Sequence, residues 1–261
     1  MNIEITEKSK FNKFANVFRN LPVFMDTVNI HVKEDGLYIQ GMDTAQVCLF
    51  ELNLHKEWFN TFSTDKPYVL GIHCATFYKV IHCIDDSEQI MKLIYNDGDK
   101  LEISLEGGNK NINKYFELPL IDIDTECLVI PPLVYDADLE ICSHSITNYI
   151  NELMIFDETF TIKCTDENIS LTSKSECGSL SIVMKEDSIL MYAIEENSVT
   201  EQSYSLKYVK NMCLFSKITN SIVINLKKDT PMRFHQSFDD VEGFEDSKNY
   251  IRFYIAPKMD D

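Results

Sequence analysis

Apolar residues recur along this chain with two periods. At Phe11, Phe14, Phe18 and Leu21 the steps of three and four residues place an apolar stripe on one face of a helix. The same steps recur at Phe77, Val80, Ile81 and Ile84, at Ile146, Tyr149, Ile150 and Leu153, and at Leu206, Val209 and Cys213. They predict helices over residues 11–21, 74–84, 146–153 and 206–216. Elsewhere apolar and polar residues alternate in short runs bounded by turn residues, as half-buried strands do. Strands are predicted at 28–32 and 37–41 around Glu34-Asp35-Gly36, and at 160–164 and 169–172 around Asp166-Glu167-Asn168. Further alternating runs, 47–52 and 180–184, lie between the helices. Hairpins follow the second and fourth helices, at 90–95 with 100–105 and at 222–226 with 231–235.

These two series match element for element at a spacing of about half the chain, the signature of a domain-sized internal repeat. Between them runs LPLIDIDTECLVIPPLVY, residues 118–135. It has no helical period, and Pro131 and Pro132 keep it extended. The expected organisation is one domain over 1–117, a connecting loop over 118–135 and a second domain over 136–261. Two helices among many strands per repeat indicate an α+β class, with antiparallel sheets and segregated helices.

Charge sharpens this picture. The 261 residues include 42 acids against 24 Lys and Arg, a formal net charge of −18. That argues against affinity built on overall neutralisation of nucleic-acid phosphates. The distribution is uneven, however. The first helix presents Lys10, Lys13, Asn16, Arg19 and Asn20, with no acid between Ser9 and Met25. The second presents Lys79 and His82, and the fourth Lys207, Lys210 and Lys217. The third offers Ser145, Asn148, Asn151 and Glu152. Acids collect in loops, at 85–88, 195–196, 239–240 and Glu242.

Candidate chemistry is sparse. Eight cysteines show no CxxC pair and mostly lie in apolar runs, as reduced, buried thiols of an intracellular protein would. No leader-like segment or membrane-length apolar run is expected. Six dispersed histidines give no metal-ligand spacing, and GxSxG, P-loop and GxGxxG motifs are missing. Asp122 with Asp124, and the acids at 85, 86 and 88, read as solvated loops. Cys142 and His144 lack a third group to act as nucleophile and base. No catalytic residue, cofactor or metal is expected.

Four segments carry a resemblance: GLYIQGMDTAQVCLFELNL at 36–54, LIDIDTECLVIP in the connecting loop, SLKYVKNMCLFSKIT at the fourth helix, and FYIAPKMDD at the C-terminus. In order and spacing they resemble the eukaryotic sliding clamp family, proliferating cell nuclear antigen. The resemblance implies a ring of three subunits with helices lining a hole and sheets outside, acting as a polymerase processivity factor. It implies as partners double-stranded DNA regardless of sequence, the chain itself as a homotrimer, DNA polymerase, a clamp loader, and nucleases and ligases carrying a Q-x-x-hydrophobic-x-x-aromatic-aromatic peptide. No membrane is implied. The location would be the nucleus, or a viral replication site in an infected cell. A subunit of a heterotrimeric checkpoint clamp and a monomeric processivity factor of the same fold remain alternatives.

By the same resemblance, Lys10, Lys13, Arg19, Lys79, His82, Lys207, Lys210 and Lys217 would face DNA. His82 stands where the family usually has lysine, and Asn148 and Asn151 where it has arginine. The partner peptide would meet Met42, Gln46, Val47, Leu128, Ile130, Pro131, Pro231, Tyr254, Ile255, Ala256 and Pro257, with Gln46 replacing a usual histidine. Subunits would join through edge strands at 111–117 and 177–184, using Ile112, Tyr115, Phe116, Leu180 and Ile182. Asp166 occupies the turn where the family carries a modified lysine, so ubiquitin-type modification there is not expected.

Overall fold

The computed structural model describes residues 1–84, 88–109, 111–239 and 247–258. Residues 85–87 of one acidic loop, Asp240 and Glu242 of another, and Met259, Asp260 and Asp261 of the C-terminal motif lie outside the described residues. The chain forms two compact units. Met1–Thr44 with Glu51–Leu128 make the first, and Ala45–Phe50 with the chain from Val129 onward make the second.

In the first unit the order is β1 (Asn2–Ile5), α1 (Lys8–Asn20), β2 (Thr27–Lys33), β3 (Gly36–Met42), β4 (Cys48–His55, from Glu51 in this unit), β5 (Thr61–Ser63), β6 (Tyr68–His73), α2 (Cys74–Ile81), β7 (Gln89–Ile94), β8 (Lys100–Gly107) and β9 (Lys114–Pro119). One sheet runs β5-β1-β7-β8-β9, and β4-β3-β2-β6 form the other run of neighbours. Helices α1 and α2 pack together. The α1 stripe is Phe11, Phe14, Val17 and Phe18, all buried. Phe18 sits 4.9 Å from Phe14 and 4.5 Å from Phe77 between ring centroids.

The second unit repeats the plan: β10 (Ala137–Cys142), α3 (Ser143–Leu153), β11 (Thr159–Thr165), β12 (Ile169–Ser175), β13 (Gly178–Met184), β14 (Met191–Ile194), β15 (Val199–Ser205), α4 (Leu206–Cys213), β16 (Ser221–Leu226), β17 (Met232–Ser237) and β18 (Tyr250–Ile255). Its strand neighbours run β14-β10-β16-β17-β18 and β13-β12-β11-β15. Helices α3 and α4 pack together. Phe253 anchors the core, 5.1 Å from Phe215 and 5.5 Å from Phe50. The class is α+β, with antiparallel sheets and two helices per unit.

Two helices end earlier than their apolar spacing suggests. The second stops at Ile81, not 84, and the fourth at Cys213, not 216. In both, the chain tightens into three-residue turns: Cys83 N–H bonds the Val80 carbonyl at 3.0 Å, and Ser216 N–H the Cys213 carbonyl at 3.1 Å. Val80 and Ile84 are accordingly only half-buried. The third helix starts at Ser143, three residues before its first apolar position. The Ser143 hydroxyl donates to the Thr219 carbonyl at 2.8 Å. The cysteine expectation also needs correction. Cys48, Cys74, Cys164 and Cys213 are buried, Cys142 is half-buried, and Cys83, Cys127 and Cys177 are exposed. Among the described residues no helix is long and apolar enough to cross a membrane.

Candidate nucleic-acid interface and docking residues

Several strand lysines are paired with carboxylates. Lys92 pairs with Glu106 at 2.8 Å, Lys100 with Glu117 at 2.6 Å and Lys163 with Glu201 at 3.0 Å. Arg19, Lys79, Lys207 and Lys210 on helices, and Lys217, which falls in the turn after α4 because that helix ends at Cys213, are all exposed, and none pairs with a carboxylate among the described residues. Arg19, Lys79 and Lys210 sit in the last turns of α1, α2 and α4, where the helix dipole favours a cation. Five positive charges in an acidic chain are thus left for an external anion.

The remaining candidates contribute less. Lys10 is held 2.9 Å from Glu7, whose carboxyl titrates below its usual range because of that lysine. Glu7 precedes the helix, so the acid-free helical run does not reveal it. Lys13 is half-buried, and His82 is exposed with its ring beside Tyr78. On α3, Asn148 and Asn151 are exposed and supply no charge; Asn148 meets the His144 ring at 3.1 Å.

The connecting loop lies along the first unit on a polar track that sequence reasoning missed. Ile121 N–H donates to the Gly71 carbonyl at 3.0 Å. A Cβ on Gly71 would come 2.1 Å from the Ile121 carbonyl oxygen, so glycine is required for this approach. Asn29 donates to the Ile123 carbonyl at 3.0 Å, and the Gln40 amide brackets Leu128, accepting from its N–H at 2.6 Å and donating to its carbonyl at 3.0 Å. Asn29 and Gln40 alternate with core residues on β2 and β3, which reads as a solvent-facing pattern. Yet they are only 4% and 8% exposed. The signal is an amide-bearing, rather than charged, outer face. Gln40→Ala removes both bonds to Leu128, and a third to the Tyr38 hydroxyl, and is expected to cost about 1–3 kcal/mol. Amide exchange at Leu128 should accelerate; unchanged protection there would contradict the anchoring role.

Docking candidates divide between the units. Met42 and Leu128, in the first, are exposed apolar side chains. In the second, Val47 accepts a bond from Ala256 N–H at 2.9 Å, while Lys258 N–H bonds the Ser203 carbonyl at 2.8 Å. Gln46 is exposed with φ 58°, Pro131 and Pro231 are exposed, and Ile130, Tyr254, Ala256 and Pro257 are half-buried. Ile255 requires correction. It alternates with Ile251 and Phe253 into the core and has 0% exposure, so its side chain cannot meet a partner.

The proposed joining strands both lie at sheet edges, β9 in the first unit and β13 in the second. The first begins at Lys114 rather than 111, because Gly107, Gly108 and Asn111 all take positive φ in the preceding turn. Ile112 therefore precedes the strand, exposed, with its carbonyl accepting from Gln89 at 2.8 Å. Tyr115 is 70% exposed and Phe116 half-buried. On β13 Leu180 and Ile182 are half-buried on one face, and Val183 is exposed on the other.

Comparison with known proteins decides the family. The model of the proliferating cell nuclear antigen N-terminal domain matches residues 1–127, and that of the C-terminal domain residues 129–258. The chain belongs to the proliferating cell nuclear antigen family. It is 25% identical over 260 residues to the Saccharomyces cerevisiae proliferating cell nuclear antigen, covering 98% of this chain and 96% of that protein. Proliferating cell nuclear antigen 1 of Plasmodium falciparum (isolate 3D7) is 28% identical over 258 residues, 94% of this chain and 93% of that protein. A probable DNA polymerase sliding clamp 2 of Paramecium bursaria Chlorella virus 1 is 25% identical over 249 residues, 95% of this chain and 87% of the viral protein.

The chain carries Asp166 in the turn after β11, where its carboxylate accepts from Asn197 N–H at 3.3 Å. The neighbouring Lys163 is engaged with Glu201. Among the described residues, no three His, Cys, Asp or Glu side chains cluster so as to hold a metal ion.

Proposed function

We propose that this family member is a DNA sliding clamp that raises polymerase processivity. It would encircle duplex DNA as a homotrimer, in the nucleus or at a viral replication site. One observation supports the DNA-facing assignment: Arg19, Lys79, Lys207 and Lys210 on helices, and Lys217 in the turn after α4, have no carboxylate partner among the described residues of a chain whose net charge is −18. A closed ring is held by topology, so it needs only weak, non-specific phosphate contacts. Acidic surface elsewhere is then compatible with function. The role requires no bond-making. A clamp acts by holding its polymerase at high effective concentration near the primer end. The test is primer extension with a clamp-dependent polymerase and its loader. Longer products per binding event are expected, and unchanged product length would overturn the proposal.

The same reading assigns partner peptides of the polymerase, loader, nucleases and ligases to exposed Met42 and Leu128 of the first unit. In the second unit it assigns them to Gln46, Val47, Ile130, Pro131, Pro231, Tyr254, Ala256 and Pro257. Met42→Ala with Leu128→Ala removes two apolar contacts of about 1–1.5 kcal/mol each and is expected to weaken peptide affinity about tenfold or more. Peptide titration followed by fluorescence anisotropy reads this directly. Equal affinity of wild type and variant would move the site elsewhere.

For assembly, β9 of one chain would pair with β13 of the next, covering two otherwise open edges. Val183→Asp places a charge on β13 and is expected to shift the protein toward monomer in sedimentation velocity. Unaltered sedimentation would exclude β13 from the joint.

A further inference from the structure

The connecting loop is fastened to the first unit by contacts of two kinds. Those from Gly71 to Ile121, Asn29 to Ile123 and Gln40 to Leu128 join amides to carbonyls and do not titrate. A further contact does. The Cys127 thiol meets His31 Nε2 at 3.3 Å. His31 is half-buried on β2, where strand alternation puts it on the same face as Asn29, under the loop.

The surroundings of His31 decide which charge state the closed loop tolerates. Lys33 lies two residues further along the same strand, its ammonium 5.0 Å over the Tyr38 ring. Tyr38 is the cross-strand partner of His31 on β3, and the apolar Val69 is its partner on β6. Glu51 of β4 accepts from the Tyr38 hydroxyl at 3.1 Å. In the loop Cys127 faces the ring, while Asp124 and Glu126 are exposed. Among the described residues no carboxylate pairs with His31. Burial, and then the Lys33 charge, hold His31 below the ordinary histidine range, and burial pushes the Cys127 thiol up. The closed pair is therefore a neutral thiol against a neutral imidazole. An imidazolium there would have no acceptor for the thiol proton and would face Lys33. It would gain full hydration only by parting from the loop.

We propose that the Cys127–His31 contact is a pH-sensitive latch: the loop lies closed while His31 is neutral, and its end at residues 125–128 lifts when His31 takes a proton. The latch is complete above the ordinary histidine pKa of about 6.5 and is lost as pH falls from there through the depressed value of the closed state. One pH unit below 6.5, the released imidazole is protonated about ten to one, so opening can gain about tenfold at most. Leu128 follows Cys127 directly. If the docking assignment above holds, on which this consequence rests, lifting the loop also disrupts the partner-peptide site.

The test is residue-resolved amide exchange of the full-length protein at about pH 7.5 and about pH 5.5, on either side of that pKa. Each rate is divided by the rate in an unstructured peptide of the same sequence. Protection at Leu128, whose N–H bonds Gln40, should fall severalfold at the lower pH. Ile121, bonded to Gly71 at the far end of the loop, should keep its protection. His31→Gln keeps an acceptor but cannot titrate, and should abolish the response at Leu128. Cys127→Ser keeps a donor to the titrating ring, and should preserve it. Unchanged protection at Leu128 would overturn the proposal. So would an equal loss at Ile121, which is general loosening in acid, or a response that survives His31→Gln. Anisotropy with a labelled, histidine-free peptide of the Q-x-x-hydrophobic-x-x-aromatic-aromatic pattern tests the consequence separately. Weaker binding at the lower pH is expected in the wild type and not in His31→Gln. A peptide that binds at neither pH would overturn the docking assignment, while exchange at Leu128 still decides the latch.

Discussion

Reversing charge at Lys79, Lys207 and Lys210 together is expected to abolish stimulation of processive DNA synthesis while leaving folding and oligomeric state intact. All three ammonium groups are exposed, and no carboxylate among the described residues depends on them. Their removal therefore leaves no buried partner unsatisfied, and the thermal midpoint should barely move. On DNA the effect is different. Each phosphate contact contributes about 0.9 to the slope of log affinity against log salt. Losing such contacts, and adding repulsion in their place, should lower DNA retention by about tenfold or more at moderate salt. The slope should flatten as well. Primer extension across a salt series measures both. Wild-type processivity in the triple variant would remove the helices from the DNA-facing surface.

Phe18→Ala should have the largest effect on stability, about 3–5 kcal/mol. Phe18 has 0% exposure and stands between Phe14 of its own helix and Phe77 of α2, so truncation opens a cavity where the two helices meet. For a domain whose net stability is about 5–15 kcal/mol, that is a substantial fraction. Because α1 carries Arg19 and α2 carries Lys79, loosening their packing should also blur the placement of both cations. Urea denaturation reads the stability term. A loss below about 1 kcal/mol would mean that the helices are held together by something other than this aromatic cluster.

Sequence pattern revealed the helices and hairpins because each spans more than one period of a strong apolar repeat. It did not reveal β1, β5 and β14, which have only three or four residues and owe their conformation to pairing with neighbours, nor the longer β6, β10, β15 and β18. Helix ends were misplaced at Ile84 and Ser216 because apolar residues continue into the terminal turns, where bonding rather than hydropathy changes. Among candidate site residues, the lysines of α4 were legible from helical spacing without intervening acid. The pairing of Lys10 with Glu7 was not, since its acid lies outside the periodic run. Asn29 and Gln40 were illegible for a different reason. A polar residue on the outer face of a strand looks solvated until the loop that covers it is placed. Ile255 shows the converse: its motif suggested contact with a partner, whereas its strand alternation sends it inward.

The ring is tested most directly by sedimentation equilibrium of the purified protein over a range of concentrations. A species about three times the 30.2 kDa chain mass, persisting on dilution, is the predicted result. A mass that stays at 30.2 kDa at every concentration would contradict encirclement by a homotrimer.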